Sequence, residues 1–169
     1  MNSILQTPSL TRTSSSPEET FSLGQSIAPF LSPGSVVALK GELGSGKTCL
    51  AKGIASGLGI KDVLTSPTYT IINEYREKED SPVTGGAASA GSYAARALFH
   101  IDAYRLENDK DFEDIGGPEI INGNGISIIE WSDRIPNSLP DDKISISLEI
   151  TGPSSRSIRI KGLELVETQ

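Results

Sequence analysis

The sequence is poor in the residues that build redox, metal or membrane sites. It has one cysteine, one histidine, one tryptophan and one methionine in 169 residues, and aromatic residues make up only 5%. A single thiol, Cys49, cannot close an internal disulfide, which suits a reducing, cytoplasmic compartment. Zinc sites need three or four clustered Cys, His or acidic ligands, and the sequence suggests no such group. No apolar run approaches the ~20 residues that span a bilayer, so no membrane association is expected. Positive charge is also in short supply. Fifteen Lys and Arg face 22 Asp and Glu, for a net charge of −7. A field of that sign repels nucleic-acid backbones and anionic membranes alike, so non-specific nucleic-acid binding is disfavoured.

What is present fits one domain. Residues 1–16 are rich in Ser and Thr and lack the apolar block of a secretory signal; they are expected to be a flexible tail. The domain is expected over residues 17–162, with residues 163–169 as a second tail. A helix is predicted from Pro17, where Glu18 and Glu19 stand in the first turn and Phe21, Leu23, Ile27 and Phe30 recur at helical spacing. The β-branched run Ser35-Val36-Val37-Ala38-Leu39-Lys40 reads as a central strand covered on both faces. A second helix is predicted from Lys47 to Leu58. Further strands are predicted at residues 69–75, 97–101 and 126–129, with an acidic helical stretch at 107–114. Residues 144–150 and 157–160 alternate with period two around Gly152-Pro153, the pattern of an antiparallel hairpin on the sheet's edge. Residues 77–97 are dominated by Gly, Ala and Ser and read as a mobile insertion. The fold class expected is α/β: a P-loop NTPase-like, mostly parallel central sheet flanked by helices, with an antiparallel C-terminal hairpin.

The strongest chemical signal is Gly41-Glu42-Leu43-Gly44-Ser45-Gly46-Lys47-Thr48, which satisfies G-x-x-x-x-G-K-[ST] between a strand and a helix. The glycines permit backbone conformations that aim successive N–H groups inward, and the helix terminus adds partial positive charge. Residues 42–49 would together cradle a polyphosphate, Cys49 lying just inside the helix. Lys47 would meet the β and γ phosphates, and the Thr48 hydroxyl would ligate Mg²⁺. A magnesium site also needs a strand-end carboxylate, and two compete: Asp102 after Phe99-His100-Ile101 and Glu130 after Ile126-Ser127-Ile128-Ile129. One could hold metal and the other position water. His100 should share a strand face with Asp102, as a packed or hydrogen-bonded imidazole. Ser66-Pro67-Thr68-Tyr69-Thr70 stands where such proteins carry a γ-phosphate sensor, with an ordinary proline turn as the alternative.

Four segments in this order, GELGSGKT at 41–48, SPTYTIINEY at 66–75, LFHIDAYRLE at 98–107 and IIEW at 128–131, make the chain similar to the TsaE (YjeE) family. The similarity spans about residues 21–160. It implies ATP and Mg²⁺ binding and a slow ATPase that depends on two partner proteins, TsaD and TsaB. The complex attaches threonylcarbamoyl to adenosine 37 of ANN-decoding tRNAs, which this protein would meet only through the complex. By matching position, the resemblance implies that Thr48 and Glu130 coordinate Mg²⁺, Lys47 holds phosphate and Asp102 assists the attacking water. It implies a switch-like role for Ser66 and Thr68, and adenine-side contacts around Glu19 and Thr20 and near Arg156. Trp131 would sit beside the metal acid. Two other classes share the nest: a small-molecule kinase, which would need an arginine-rich lid, and a non-hydrolysing nucleotide-gated adaptor.

Overall fold

The computed structural model describes residues 9–67, 69–76 and 97–163. In chain order the elements are β1 (Ser9–Ser14), α1 (Pro17–Ile27), β2 (Val36–Lys40), α2 (Lys47–Gly57), β3 (Ile72–Arg76), β4 (Ala97–Asp102), α3 (Asp109–Asp114), α4 (Gly117–Ile121), β5 (Ile126–Glu130), β6 (Ile144–Ile150) and β7 (Arg156–Lys161). The strands form one seven-stranded sheet in the order β1-β7-β6-β2-β5-β4-β3. Strands β6, β2, β5 and β4 run parallel, and β3, β7 and β1 join antiparallel at the two edges.

Side chains alternate across a strand, and each central strand therefore feeds two cores. Val37 and Leu39 of β2, with Ile126 and Ile128 of β5, pack against Ile27 of α1 and Leu50 and Ile54 of α2. Val36 and Ala38, with Ile101 and Ile129, pack on the other face with Phe112, Ile135 and Leu139. This two-sided burial explains why Val36-Val37-Ala38-Leu39 is continuously apolar. Helix α1 begins as its sequence suggests. Ser16 caps it by accepting from the Glu19 amide at 3.2 Å, Pro17 follows, and Glu19 reaches back to the Ser15 amide at 2.7 Å. Helices α1 and α2 pack closely, because Gly24 and Gly53 let the backbones meet. A Cβ on Gly53 would stand 2.1 Å from the Phe21 carbonyl oxygen.

The structure corrects several expectations. Residues 9–14 are not a flexible tail: they form β1, paired along its length with β7, and Ser14 Oγ lies 2.6 Å from Thr20 Oγ1. Composition reports how much apolar surface a segment can bury, whereas an edge strand needs chiefly a partner for its N–H and C=O groups. Strand β1 consequently displaces the hairpin of β6 and β7 from the sheet's edge. The domain also extends past residue 162, since Leu163 is buried in the first core. The strand expected at residues 69–75 starts only at Ile72, because Ile71 takes φ +67° and turns the chain out of extended geometry. Helix α4 was not anticipated; five residues opening on a glycine carry too little periodicity to read. The expected insertion lies outside the described residues except for Ala97, which opens β4. The rest of the C-terminal tail lies outside them too.

Candidate functional site

The carboxyl ends of β2, β4 and β5 meet at one edge of the sheet. Leu39 and Asp102 are both register partners of Glu130, so the two strand-end acids stand side by side next to the strand that feeds the glycine loop. That loop turns through positive φ at Gly41 (+151°), Gly44 (+77°) and Gly46 (+101°), where an L side chain would be strained. Gly41 is also wedged: a Cβ there would meet the Leu148 carbonyl oxygen and Ser45 Oγ, each at 2.5 Å.

Lys47 opens α2 and is only 5% exposed. Its ammonium donates to the carbonyls of Gly41 at 2.7 Å and Glu42 at 2.9 Å, and stands 3.8 Å from the centre of the Trp131 ring. Burial pushes its pKa below the ordinary lysine value of 10.5, an effect opposed in part by Glu130, Asp102 and Asp133. Trp131 reaches this position because the chain turns through φ +57° immediately after Glu130. Tyr104 packs on the same indole with ring centroids 5.0 Å apart.

The Thr48 hydroxyl donates to Glu130, with both carboxylate oxygens at 2.9 Å. His100 shares the face of Asp102, as period two requires, and is fully buried; its Nε2 lies 2.7 Å from Glu130 Oε1. Among the described residues, His100 Nδ1 has no hydrogen-bond partner. The acid nearest Thr48 is thus Glu130, gripped from two sides. Asp102 is nearly buried as well. Its Oδ1 accepts from the Tyr104 amide at 3.0 Å, and Ser66 Oγ lies 3.5 Å from its Oδ2. The segment from Ser66 is tied to the same strand end, since the Asp102 amide donates to the Ile71 carbonyl at 2.9 Å.

The structure therefore brings together Lys47, Thr48, Glu130, Asp102 and Ser66. Glu42, Leu43 and Gly44 form the loop's exposed tip, while Ser45 is buried behind it. Thr68 lies outside the described residues. The remaining candidates are hydrogen-bonded within the protein. Thr20 is buried with its hydroxyl on Ser14 and the Ser16 carbonyl, although its methyl group lies 3.6 Å from where a Cβ on Gly46 would be. Cys49 donates through Sγ to the Pro17 carbonyl at 3.2 Å, and burial raises its thiol pKa, which disfavours the thiolate. Arg156 bonds the carbonyls of Gly44 and Ser45. The bonds of His100 and Arg156 to this site were not foreseen. For His100 the pairing of β4 with β5 was the missing information, since neither strand's sequence names its neighbour.

A seven-stranded sheet, parallel at its centre and flanked by helices, with a glycine-rich loop between β2 and α2 and acids at the ends of the adjoining strands, defines a mixed α/β protein. The family model described as "Threonylcarbamoyl adenosine biosynthesis protein TsaE" matches residues 14–158. The chain is 37% identical over 147 residues to the tRNA threonylcarbamoyladenosine biosynthesis protein TsaE of Treponema pallidum, covering 87% of this chain and 96% of that one. It is also 37% identical over 142 residues to the protein of that name from Bacillus subtilis, covering 84% of this chain and 78% of the relative. The crystal structure of Bacillus subtilis YdiB superposes with a TM-score of 0.70 at 30% identity, covering 94% of this chain and 88% of that one. The chain belongs to the TsaE family, proteins of tRNA threonylcarbamoyladenosine biosynthesis.

Proposed function

We propose that this protein binds ATP with Mg²⁺ at the glycine loop and hydrolyses it slowly, at a rate raised by the TsaB and TsaD proteins during threonylcarbamoylation of adenosine 37. The observation that carries this reading is the joint placement of Lys47, Thr48 and Glu130 where the loop enters α2. One hydroxyl and one carboxylate within hydrogen-bond distance suit a hard cation that retains several waters and takes its other oxygens from phosphate, as Mg²⁺ does. Thr48 and Glu130 would hold that ion, which when bound neutralises charge on the phosphate oxygens. Lys47 would exchange its bonds to the Gly41 and Glu42 carbonyls for phosphate oxygens, while the loop amides and the α2 terminus supply further positive potential.

Asp102 would orient the attacking water, being a strand-end acid beside Glu130 that is held in place by the Tyr104 amide. The resemblance gives Ser66 and Thr68 the part of a switch segment, and Ser66 stands close enough to Asp102 to report on it. TsaB and TsaD would complete the site, and tRNA would be reached only through them. Calorimetry with ATP, with and without Mg²⁺, and phosphate release with and without TsaB and TsaD test the proposal. Magnesium-dependent binding and partner-stimulated release are expected; no binding under either condition refutes it.

A further inference from the structure

Arg156 opens β7 and reaches back across the hairpin turn to the glycine loop. Its Nη2 donates to the Gly44 carbonyl at 2.9 Å and its Nε to the Ser45 carbonyl at 3.1 Å. Its Nη1 donates to the Ser155 carbonyl at 2.8 Å and the Gly152 carbonyl at 3.2 Å. One planar guanidinium thus ties the turn between β6 and β7 to two successive peptides of the loop. Lysine, with a single nitrogen on a flexible stem, cannot reproduce that fork.

The direction of these bonds matters. In a trans peptide the C=O and the next N–H point opposite ways, and the described chain has no cis peptide. Holding the Gly44 and Ser45 carbonyls toward Arg156 turns the Ser45 and Gly46 amides away from it. The Ser45 amide consequently faces the Glu42 carbonyl at 3.1 Å, the same oxygen that Lys47 Nζ meets from inside the loop. The Gly44 and Ser45 carbonyls are therefore pinned by Arg156, and the amides of the same two peptides are held facing away from it.

The geometry points to Arg156 as a positioning residue for the phosphate nest: it acts on the polyphosphate through the orientation of the loop amides and does not contact the base. This deepens the ATP-binding reading and rests on it. The adenine-side role that the family resemblance implies for the neighbourhood of Arg156 is the alternative that the experiment below separates from it.

Two ligands separate the roles. Titrating ATP and inorganic tripolyphosphate into wild type, Arg156→Ala, Arg156→Lys and Arg159→Ala measures affinity with and without a base. Arg159 is an exposed arginine on the same strand and controls for loss of charge. Arg156→Ala is expected to weaken both ligands by the same factor, about tenfold. Arg156→Lys should recover only part of the loss, and Arg159→Ala should match wild type. A loss confined to ATP would assign Arg156 to the base and overturn the proposal, as would no loss for either ligand. Amide exchange without ligand gives a second readout, and Arg156→Lys serves should the alanine variant fail to fold. Exchange at Ser45 and Gly46 should quicken while the α1 and α2 cores stay protected; unchanged exchange there overturns the proposal. If wild type binds neither ligand, the ATP reading fails, and exchange alone still decides whether Arg156 orders the loop.

Discussion

The Thr48 hydroxyl faces both oxygens of Glu130 at 2.9 Å although 82 positions separate them in sequence. With Mg²⁺ present the two would become ligands of one ion, so their contributions should be coupled. Thr48→Ala and Glu130→Gln are each expected to lower Mg²⁺-ATP affinity by about tenfold or more. The double variant should lose less than the sum of the two effects. Calorimetry across this cycle checks the expectation, and strict additivity would mean that the two residues do not share a cation.

Lys47 pays for its position in stability. Its folded-state pKa lies below 10.5 chiefly through burial, so the unfolded chain binds the proton more readily. The penalty is full below the folded pKa and is relieved as pH rises through it toward the ordinary lysine value. Lys47→Met should abolish polyphosphate binding yet raise the melting temperature of the nucleotide-free protein at pH 7. The gap between variant and wild type should narrow from pH 7 toward pH 10. Melting curves over that range test both sign and window, and a gap that widens with pH would contradict the assignment.

The loop from Gly41 to Thr48 was legible because its chemistry is local: a strand, three glycines, a lysine and a hydroxyl, all within reach of one another along the chain. Asp102 and Glu130 were legible as strand-end acids, but which one meets Thr48 depends on the pairing of β2, β5 and β4, and that is a tertiary fact. The sheet's outer strand was hidden for a related reason. Ser9–Ser14 has an exposed, polar face almost throughout, and its stabilisation comes from backbone bonds to β7 that leave little trace in side-chain pattern. Arg156 was visible as a residue near the site but not as a partner of Gly44 and Ser45, because that contact closes across more than a hundred residues.

His100 should matter through Glu130. Its Nε2 lies within hydrogen-bond distance of the carboxylate that Thr48 also meets, and the imidazole is fully buried. Replacing it by alanine leaves Glu130 with Thr48 alone and opens a cavity, at a cost to folding of about 1–3 kcal/mol. His100→Gln, which can still donate, should recover part of that stability. The more telling readout is binding: the increment in ATP affinity due to Mg²⁺ should shrink in His100→Ala, while metal-free ATP affinity stays near wild type. A uniform loss of both would show that His100 supports the fold generally and does not aim Glu130.

The close approach of α1 and α2 yields a prediction in which local and tertiary preferences oppose each other. In an isolated helix, glycine is about 1 kcal/mol worse than alanine, so Gly53→Ala would stabilise α2 taken alone. In the folded protein the new methyl would meet the Phe21 carbonyl oxygen at 2.1 Å and the Gly24 Cα at 3.0 Å. Both are backbone atoms, which cannot turn aside as a side chain can, so the helices must separate along their contact. Overpacking of this kind costs about 1–3 kcal/mol, enough to outweigh the gain in propensity. Gly53→Ala should therefore lower the denaturation midpoint, whereas Lys52→Ala, on the exposed side of the same helix, should leave it within about 0.5 kcal/mol of wild type. Urea unfolding of the two variants decides the matter. A Gly53→Ala protein as stable as wild type would mean that α1 and α2 sit farther apart in solution than the contact between Gly53 and Phe21 requires.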